Sequence, residues 1–202
     1  MDLFSDIQNQ GEWLPIENGL LFWSPNFIQA PLATQMFHQL KSEIQFEQKA
    51  ITIFGQPRLQ PRLQSWHGSA SYSYSGLTLT PKPWTNTLFK LKELCENTCD
   101  SEFNSVLVNL YRDAQDSMGW HADNEPELGK NPTIASISLG ETRTFCLKHT
   151  KSKKQIKLDL PNGSLLIMTQ STQHFWQHCL PKSTTQKSER LNLTFRYVLD
   201  NG

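Results

Sequence analysis

Apolar positions along the chain fall into two periodicities. From Pro31 to about Gln48, Leu32, Met36, Phe37, Leu40 and Ile44 recur at helical spacing, with Pro31 at a first-turn position where proline is tolerated. From Pro83 to about Asn97, Trp84, Leu88, Leu91, Leu94 and Cys95 form a second helical stripe. Elsewhere the pattern is that of short strands. Gly19-Leu20-Leu21-Phe22-Trp23 is an apolar run in an N-terminal arm of one or two strands, and Ile51-Thr52-Ile53-Phe54 stops at Gly55. The second half reads as strands at 106–111, 133–139, 143–149, 155–159, 164–168 and 191–198, separated by turn signals such as Gly140-Glu141 and Pro161-Asn162-Gly163. Helices first and many short strands later predict an α+β chain, a sheet-rich core with helices packed outside. A double-sheet jelly roll fits the strand spacing.

Residues 49–80 break this regularity. Pro57-Arg58, Pro61-Arg62, Trp66-His67-Gly68 and Ser71-Tyr72-Ser73-Tyr74-Ser75-Gly76 mix prolines, cations and aromatics. Tyr72 and Tyr74 share a side of an extended chain. The segment reads as a loop-rich surface or a lid over a site. The expected organisation is one domain over 1–202, with an N-terminal extension to about 48 and a lid at about 49–80.

Composition changes the picture little. The chain has 202 residues, 37% hydrophobic and 19% charged, which is ordinary for a globular domain. No stretch approaches the roughly 18 apolar residues of a membrane span, so no membrane partner is expected, and a monomer is. The acidic start, Met1 to Asp6, lacks a secretory pattern. The expected location is the cytoplasm, beside the nucleoid, in a bacterium and the nucleus in a eukaryote.

Net charge is zero but uneven: residues 1–47 hold one Lys and six acids, residues 140–196 ten Lys/Arg and three acids. A basic second half permits a phosphate-bearing partner, though runs such as Lys151-Ser152-Lys153-Lys154 are often only solvated turns. Cys95, Cys99, Cys146 and Cys179 match neither a zinc site nor a disulfide framework.

Candidate chemistry is more informative. His121 and Asp123 are two apart, so an extended backbone points both side chains the same way. Alone, the pair is equally a hydrogen-bonded His and Asp on a loop. A distant third ligand, His178 or His174, turns it into two histidines and a carboxylate on one face of a metal. Such a facial set leaves positions open and suits non-haem Fe(II). Spacing to the following arginines favours His178. His38, His67 and His149 have no partner pattern and read as surface or loop histidines.

In 190–197 alternation is strict. Arg190, Asn192, Thr194 and Arg196 face one way, Leu191, Leu193, Phe195 and Tyr197 the other. The strand is either an exposed edge or a polar wall inside a barrel. In the second case two guanidinium forks, ~20 Å apart along the strand, suit a small dicarboxylate such as 2-oxoglutarate. Asn109 and Tyr111, on one face of a neighbouring strand, can reach the same ligand.

These residues resemble the AlkB family of Fe(II)/2-oxoglutarate dioxygenases over roughly residues 50–198. The resemblance rests on Asn109-Leu110-Tyr111, His121-x-Asp123, Ser136-Ile137-Ser138-Leu139-Gly140, Gly163-Ser164-Leu165-Leu166-Ile167-Met168, His178 and Arg190-x-Asn192-x-Thr194-Phe195-Arg196. The stretch 75–84 and Asn109-Leu110-Tyr111 look most like the animal member that repairs duplex DNA and its bacterial relatives. The resemblance implies a double-stranded β-helix (jelly-roll) core with flanking helices and a nucleotide-recognition lid.

It also implies roles. Fe(II) would sit on His121, Asp123 and His178, with O₂ as oxidant. 2-Oxoglutarate would sit on Asn109, Tyr111, Arg190, Thr194 and Arg196, supported by Asn192. Tyr72, Tyr74 and Glu125 match base-contacting residues. Phe54 and Gly55 match a hydrophobic finger that fills the hole left by an extracted base, and Arg58, Arg62 and lysines 151–157 are phosphate candidates. Ala122 between the ligands is one departure from the family pattern. Asn124, where the animal enzyme has an acid, is a second, and a candidate for retuning substrate choice. The implied reaction is oxidative demethylation of 1-methyladenine and 3-methylcytosine in DNA. The alternatives are the same chemistry on RNA or protein, a non-catalytic nucleic-acid binder, or a zinc hydrolase, in which the arginine strand has no role.

Overall fold

The computed structural model describes residues 11–53, 55–74 and 77–199. A hairpin of β1 (Glu12–Ile16) and β2 (Gly19–Ser24) leads into helix α1 (Ala30–Glu43). Then come β3 (Ala50–Ile53), β4 (Gln56–Leu59), β5 (Leu63–Gly68), β6 (Tyr72–Tyr74) and β7 (Leu77–Leu79), followed by helix α2 (Asn86–Cys99). The second half contains β8 (Ser105–Tyr111), β9 (Met118–His121), β10 (Ile134–Gly140), β11 (Arg143–His149), β12 (Gln155–Leu160) and β13 (Ser164–Thr169). The one-turn helix α3 (Thr172–Phe175) precedes β14 (Trp176–Leu180), and β15 (Arg190–Arg196) ends the core.

The strands assemble into a seven-stranded sheet, β1-β2-β13-β10-β15-β8-β5, and a four-stranded sheet, β12-β11-β14-β9. Pairing within both is antiparallel. Leu21, Leu166 and Met168 from the large sheet pack with Leu147, Leu160 and Trp176 from the small one, so the two lie face to face. This is the double-stranded β-helix that the strand spacing predicts.

The helices cover the outer face of the large sheet. Leu40 of α1 and Leu88 and Leu91 of α2 join Leu191, Leu193, Phe195, Val106 and Val108 in one cluster. Each such side chain, fully buried, contributes about 1.5–3 kcal/mol. Alternation then leaves the other faces of β8 and β15 turned towards the small sheet, and those faces carry the polar residues.

Local chemistry sets the element ends. The Thr85 side chain caps α2 by accepting from the Leu88 N–H at 3.2 Å, worth ~1 kcal/mol. Helix α1 stops at Glu43, short of the predicted 48: Ile44 is buried and extended, and Glu47 bridges to Gln64 beside β5. Gly163 is positive in φ (85°) and lies so close to Ile28 that an added Cβ would sit 2.0 Å from the Ile28 carbonyl oxygen.

Two segments are placed differently from the sequence expectation. The N-terminal arm is part of the large sheet, since β2 pairs with β13. Within 49–80, the hairpins β3–β4 and β6–β7 stand apart as two-stranded sheets, but β5 pairs with β8 inside the core. Its residues 64–67 are buried, which a proline- and aromatic-rich segment does not announce.

Candidate active site

His121 ends β9 and lies across from His178 of β14 in the antiparallel register. Asp123 follows two residues beyond, past the strand end. One ligand atom from each of the three lies within 4.8 Å of the others. The His121 Nδ1–H donates to the Gly119 carbonyl at 2.8 Å, with the proton placed there because a carbonyl only accepts. That leaves the Nε2 lone pair facing the site. The His178 Nε2 stands 3.1 Å from it, so the two ring nitrogens converge on one point.

Ionisation favours metal binding as well. Burial would raise the Asp123 carboxyl, but the adjacent Arg196 guanidinium, together with His178 and His121, outweighs it and holds the group down at about 2. Burial, then the neighbouring His121, pushes His178 down to about 3. The site therefore offers a carboxylate and a neutral imidazole near neutrality, the forms a metal requires. A set of two imidazoles and one carboxylate suits a divalent ion with open positions. Arg196 Nη2 donates to both Asp123 oxygens at 3.0 Å, while its Nε and Nη1 are buried without partners.

The polar face of β15 is buried between the sheets, as the barrel-wall reading predicts. Arg190, Thr194 and Arg196 are all buried there. Register sets Arg190 against Tyr111 and Asn192 against Asn109 on β8. Asn192 Nδ2 donates to Ser136 Oγ at 2.8 Å, and Arg190 Nη2 to Ser138 Oγ at 2.8 Å. The Arg190 guanidinium lies 5.3 Å from the Tyr111 ring, its Nε has no partner, and burial pulls its pKa down to about 10. Among the described residues its partners are a hydroxyl and a phenol, not a carboxylate. Asn109, Tyr111, Asn192, Thr194 and Arg196 line one cavity with His121, Asp123 and His178. Unsatisfied guanidinium donors at that cavity fit a small dicarboxylate.

The remaining candidates divide. Arg62 is buried, not a surface cation: its Nε donates to Asn109 Oδ1 at 2.9 Å and its Nη2 to Gln60. Tyr72 is buried and stacked on Trp66, ring centroids 5.3 Å apart, so it floors the lid instead of presenting a free ring. Its hydroxyl, bonded to Glu125, is raised by burial. Glu125 keeps Oε2 buried without a partner. Asn124 is exposed beside the ligands. Gly55 sits at the β3–β4 turn with φ of 75° and open space where a Cβ would be. Phe54 and the side chain of Tyr74 lie outside the described residues.

His174 points away from the ligands, to the Lys130 carbonyl. His67 and His149 are buried, contrary to the surface expectation. His67 Nδ1 meets the Pro83 carbonyl at 2.7 Å, and His149 Nδ1 accepts from Ser152 N–H at 3.0 Å. A residue that sequence reasoning missed is Gln173, whose side-chain oxygen accepts from the Asp123 backbone N–H at 2.9 Å. The sole sequence cue is its place five residues before His178.

Fold and site together define an iron- and 2-oxoacid-dependent oxygenase class, and comparison with known proteins agrees. The profile described as the 2OG-Fe(II) oxygenase superfamily matches residues 21–196. This chain belongs to that superfamily and, within it, to the AlkB group. Fe(II), 2-oxoglutarate and O₂ are the cofactor and co-substrates of the family.

Alpha-ketoglutarate-dependent dioxygenase alkB homolog 3 of Bos taurus is 39% identical, covering 86% of this chain and 64% of its own length. DNA oxidative demethylase ALKBH2 of Mus musculus is also 39% identical, over 83% of this chain and 75% of its own length. The chain thus spans a little under two thirds of the first relative. The solved structure described as "The structure of OsALKBH1" superposes with a TM-score of 0.65 at 17% identity, covering 92% of this chain and 100% of that one, and shares the fold.

Proposed function

We propose that this chain is an oxidative demethylase of N-alkylated nucleic-acid bases, acting on 1-methyladenine and 3-methylcytosine in DNA. The observation that carries the reading is the cavity itself. Three ligand atoms within 4.8 Å of one another share it with Asn192, Thr194 and Arg196 of β15. The relatives named as a DNA oxidative demethylase and an AlkB dioxygenase supply the substrate class.

In this reading His121, Asp123 and His178 hold Fe(II). Asn109, Tyr111, Arg190, Asn192, Thr194 and Arg196 hold 2-oxoglutarate. Together with O₂, the iron and its co-substrate supply the oxidant that places a hydroxyl on the methyl carbon, yielding succinate and CO₂. The hydroxymethyl group on nitrogen then breaks down to formaldehyde and the restored base, so no protein nucleophile is required.

The work of the chain is positioning. Arg196 keeps Asp123 ionised and aimed. Burial keeps His178 neutral. Arg190 sets the far end of the co-substrate. A methyl on a pairing edge is inaccessible within a duplex, so the nucleotide must leave the stack, and a lesion that blocks pairing lowers that cost. Gly55 sits at the β3–β4 turn, and Phe54, its neighbour in sequence, is the candidate apolar wedge. Tyr74 is the stacking candidate on the lid, Glu125 the candidate reader of the base edge, and Asn124 lies exposed beside them. Tyr72 and Arg62 act from beneath, the first by supporting Glu125 and the second by holding Asn109. Arg58 and the lysines of 151–157 are the phosphate contacts.

The test is formaldehyde release from a 1-methyladenine oligonucleotide, single- and double-stranded, with Fe(II), 2-oxoglutarate and ascorbate. Release should require 2-oxoglutarate and vanish in His178→Ala. Phe54→Ala should lower duplex activity far more than single-strand activity. Succinate formed without any formaldehyde would show a working oxygenase aimed at another substrate.

A further inference from the structure

The Asp123 carboxylate is held by Arg196, but its backbone is held from elsewhere. Gln173 is buried (1% exposed), and its side-chain oxygen accepts from the Asp123 N–H at 2.9 Å. Its Nε2 points to Met168 Sδ at 3.5 Å, a weak contact that fixes which end of the amide faces Asp123. Met168 itself lines the metal cavity.

Helix α3, which carries Gln173, is a single turn and has little stability of its own. The N-terminal hairpin supplies the anchor. Leu20 N–H donates to Thr172 Oγ1 at 3.1 Å, Ser171 Oγ to the Asn18 carbonyl at 3.0 Å, and Trp176 Nε1 to the Glu17 carbonyl at 2.7 Å. The turn is thus pinned to the β1–β2 connection on one side and presents Gln173 to the ligand loop on the other. The same short segment runs directly into β14, which carries His178. One side chain therefore ties the segment bearing the carboxylate ligand to the segment bearing the second imidazole.

We infer that Gln173 is a positioning residue for the metal site, fixing the Asp123 backbone and so the direction from which that carboxylate meets the ion. The inference rests on the metal reading of His121, Asp123 and His178. Groups that orient a ligand typically alter metal affinity when removed, even though they never touch the ion.

The experiment uses the full chain, stripped of metal, and measures Mn(II) binding by calorimetry and the visible spectrum of the Co(II) form. Gln173→Leu removes the acceptor and should weaken Mn(II) binding by about 10- to 100-fold and change the Co(II) spectrum. His174→Ala breaks another contact of the same turn, to Lys130, and should leave affinity within about threefold.

Gln173→Leu binding Mn(II) as tightly as the unaltered chain would overturn the inference. So would His174→Ala weakening it equally, since the turn as a whole would then be responsible. An unaltered chain that binds no Mn(II), or binds it no better than His178→Ala, would overturn the metal reading beneath it.

Discussion

Replacing Arg196 with methionine isolates the electrostatics of the site without the metal. Asp123 and Arg196 are each 4% exposed, and one guanidinium nitrogen donates to both carboxylate oxygens at 3.0 Å. Two parallel bonds would be stronger; here Nε and Nη1 are left over. Removing one partner of a buried pair costs about 3–5 kcal/mol, and this geometry argues for the lower end, about 3 kcal/mol. At ~2–4 °C per kcal/mol for a chain of this size, the metal-free variant should melt about 6–12 °C lower at neutral pH.

The dependence on pH carries a definite sign. In the unaltered chain Asp123 is held at about 2, below the ordinary aspartate value of 3.8. Its contribution is complete above the unfolded value and disappears as pH falls through the folded one. Without Arg196 the folded value rises, because burial loses its main opponent, so less of that contribution remains to be lost on acidification. The gap between the two proteins must therefore narrow as pH drops. Asp123→Asn combined with Arg196→Met should cost less than the two changes summed. A melting point within about 2 °C of the unaltered chain, or a gap that widens in acid, would refute the reasoning.

Three further outcomes are expected. Arg190→Met should raise the half-saturating 2-oxoglutarate concentration about 10- to 100-fold, from loss of a charged hydrogen-bonding partner, while Mn(II) affinity without 2-oxoglutarate stays unchanged; equal half-saturation would remove Arg190 from the co-substrate site. Gly163→Ala meets both a positive φ and the Ile28 carbonyl, and should lower the melting temperature by at least ~4 °C in a scanning unfolding assay. Burial raises the Cys95 and Cys179 thiols, Cys179 to about 11; both should resist a disulfide reagent near neutral pH in the folded chain and react once it is denatured.

Strands with a clean apolar alternation are legible in the sequence. So is the polar face of β15, because Leu191, Leu193 and Phe195 on one side need a core while Arg190 and Arg196 on the other need water or a counter-ion. The metal pair is legible through its spacing of two. What escapes has no local signal. Strand β9 is only four residues, two of them exposed, and borrows its extended form from pairing with β14. Strand β14 is a short run around His178 whose pattern is neither apolar nor alternating. His67 and His149 look superficial because a lone histidine shows no partner in sequence, while the fold brings the Pro83 carbonyl to His67 and the Asn18 side chain to His149. Tyr72 alternates with Tyr74 along the chain, yet stacking on Trp66 settles where its ring lies. Gln173 acts on a residue 50 positions away, a separation that periodicity does not encode.

Strand β2 has a bearing on how the chain is made. Its Leu21-Phe22 core pairs with β1 and with β13, whose residues are Ser164–Thr169. During synthesis the β1–β2 hairpin emerges before its partner, which follows only after some 140 further residues. At ~5–20 residues per second that is a wait of roughly 7–30 s with one apolar strand edge open. Closing so long a loop is also slow in refolding. The newborn chain is therefore exposed to edge-to-edge association through β2 before the strands that bear the candidate metal ligands and arginines are in place. A folding helper that shields the β1–β2 hairpin would raise yield more than one acting on the finished protein.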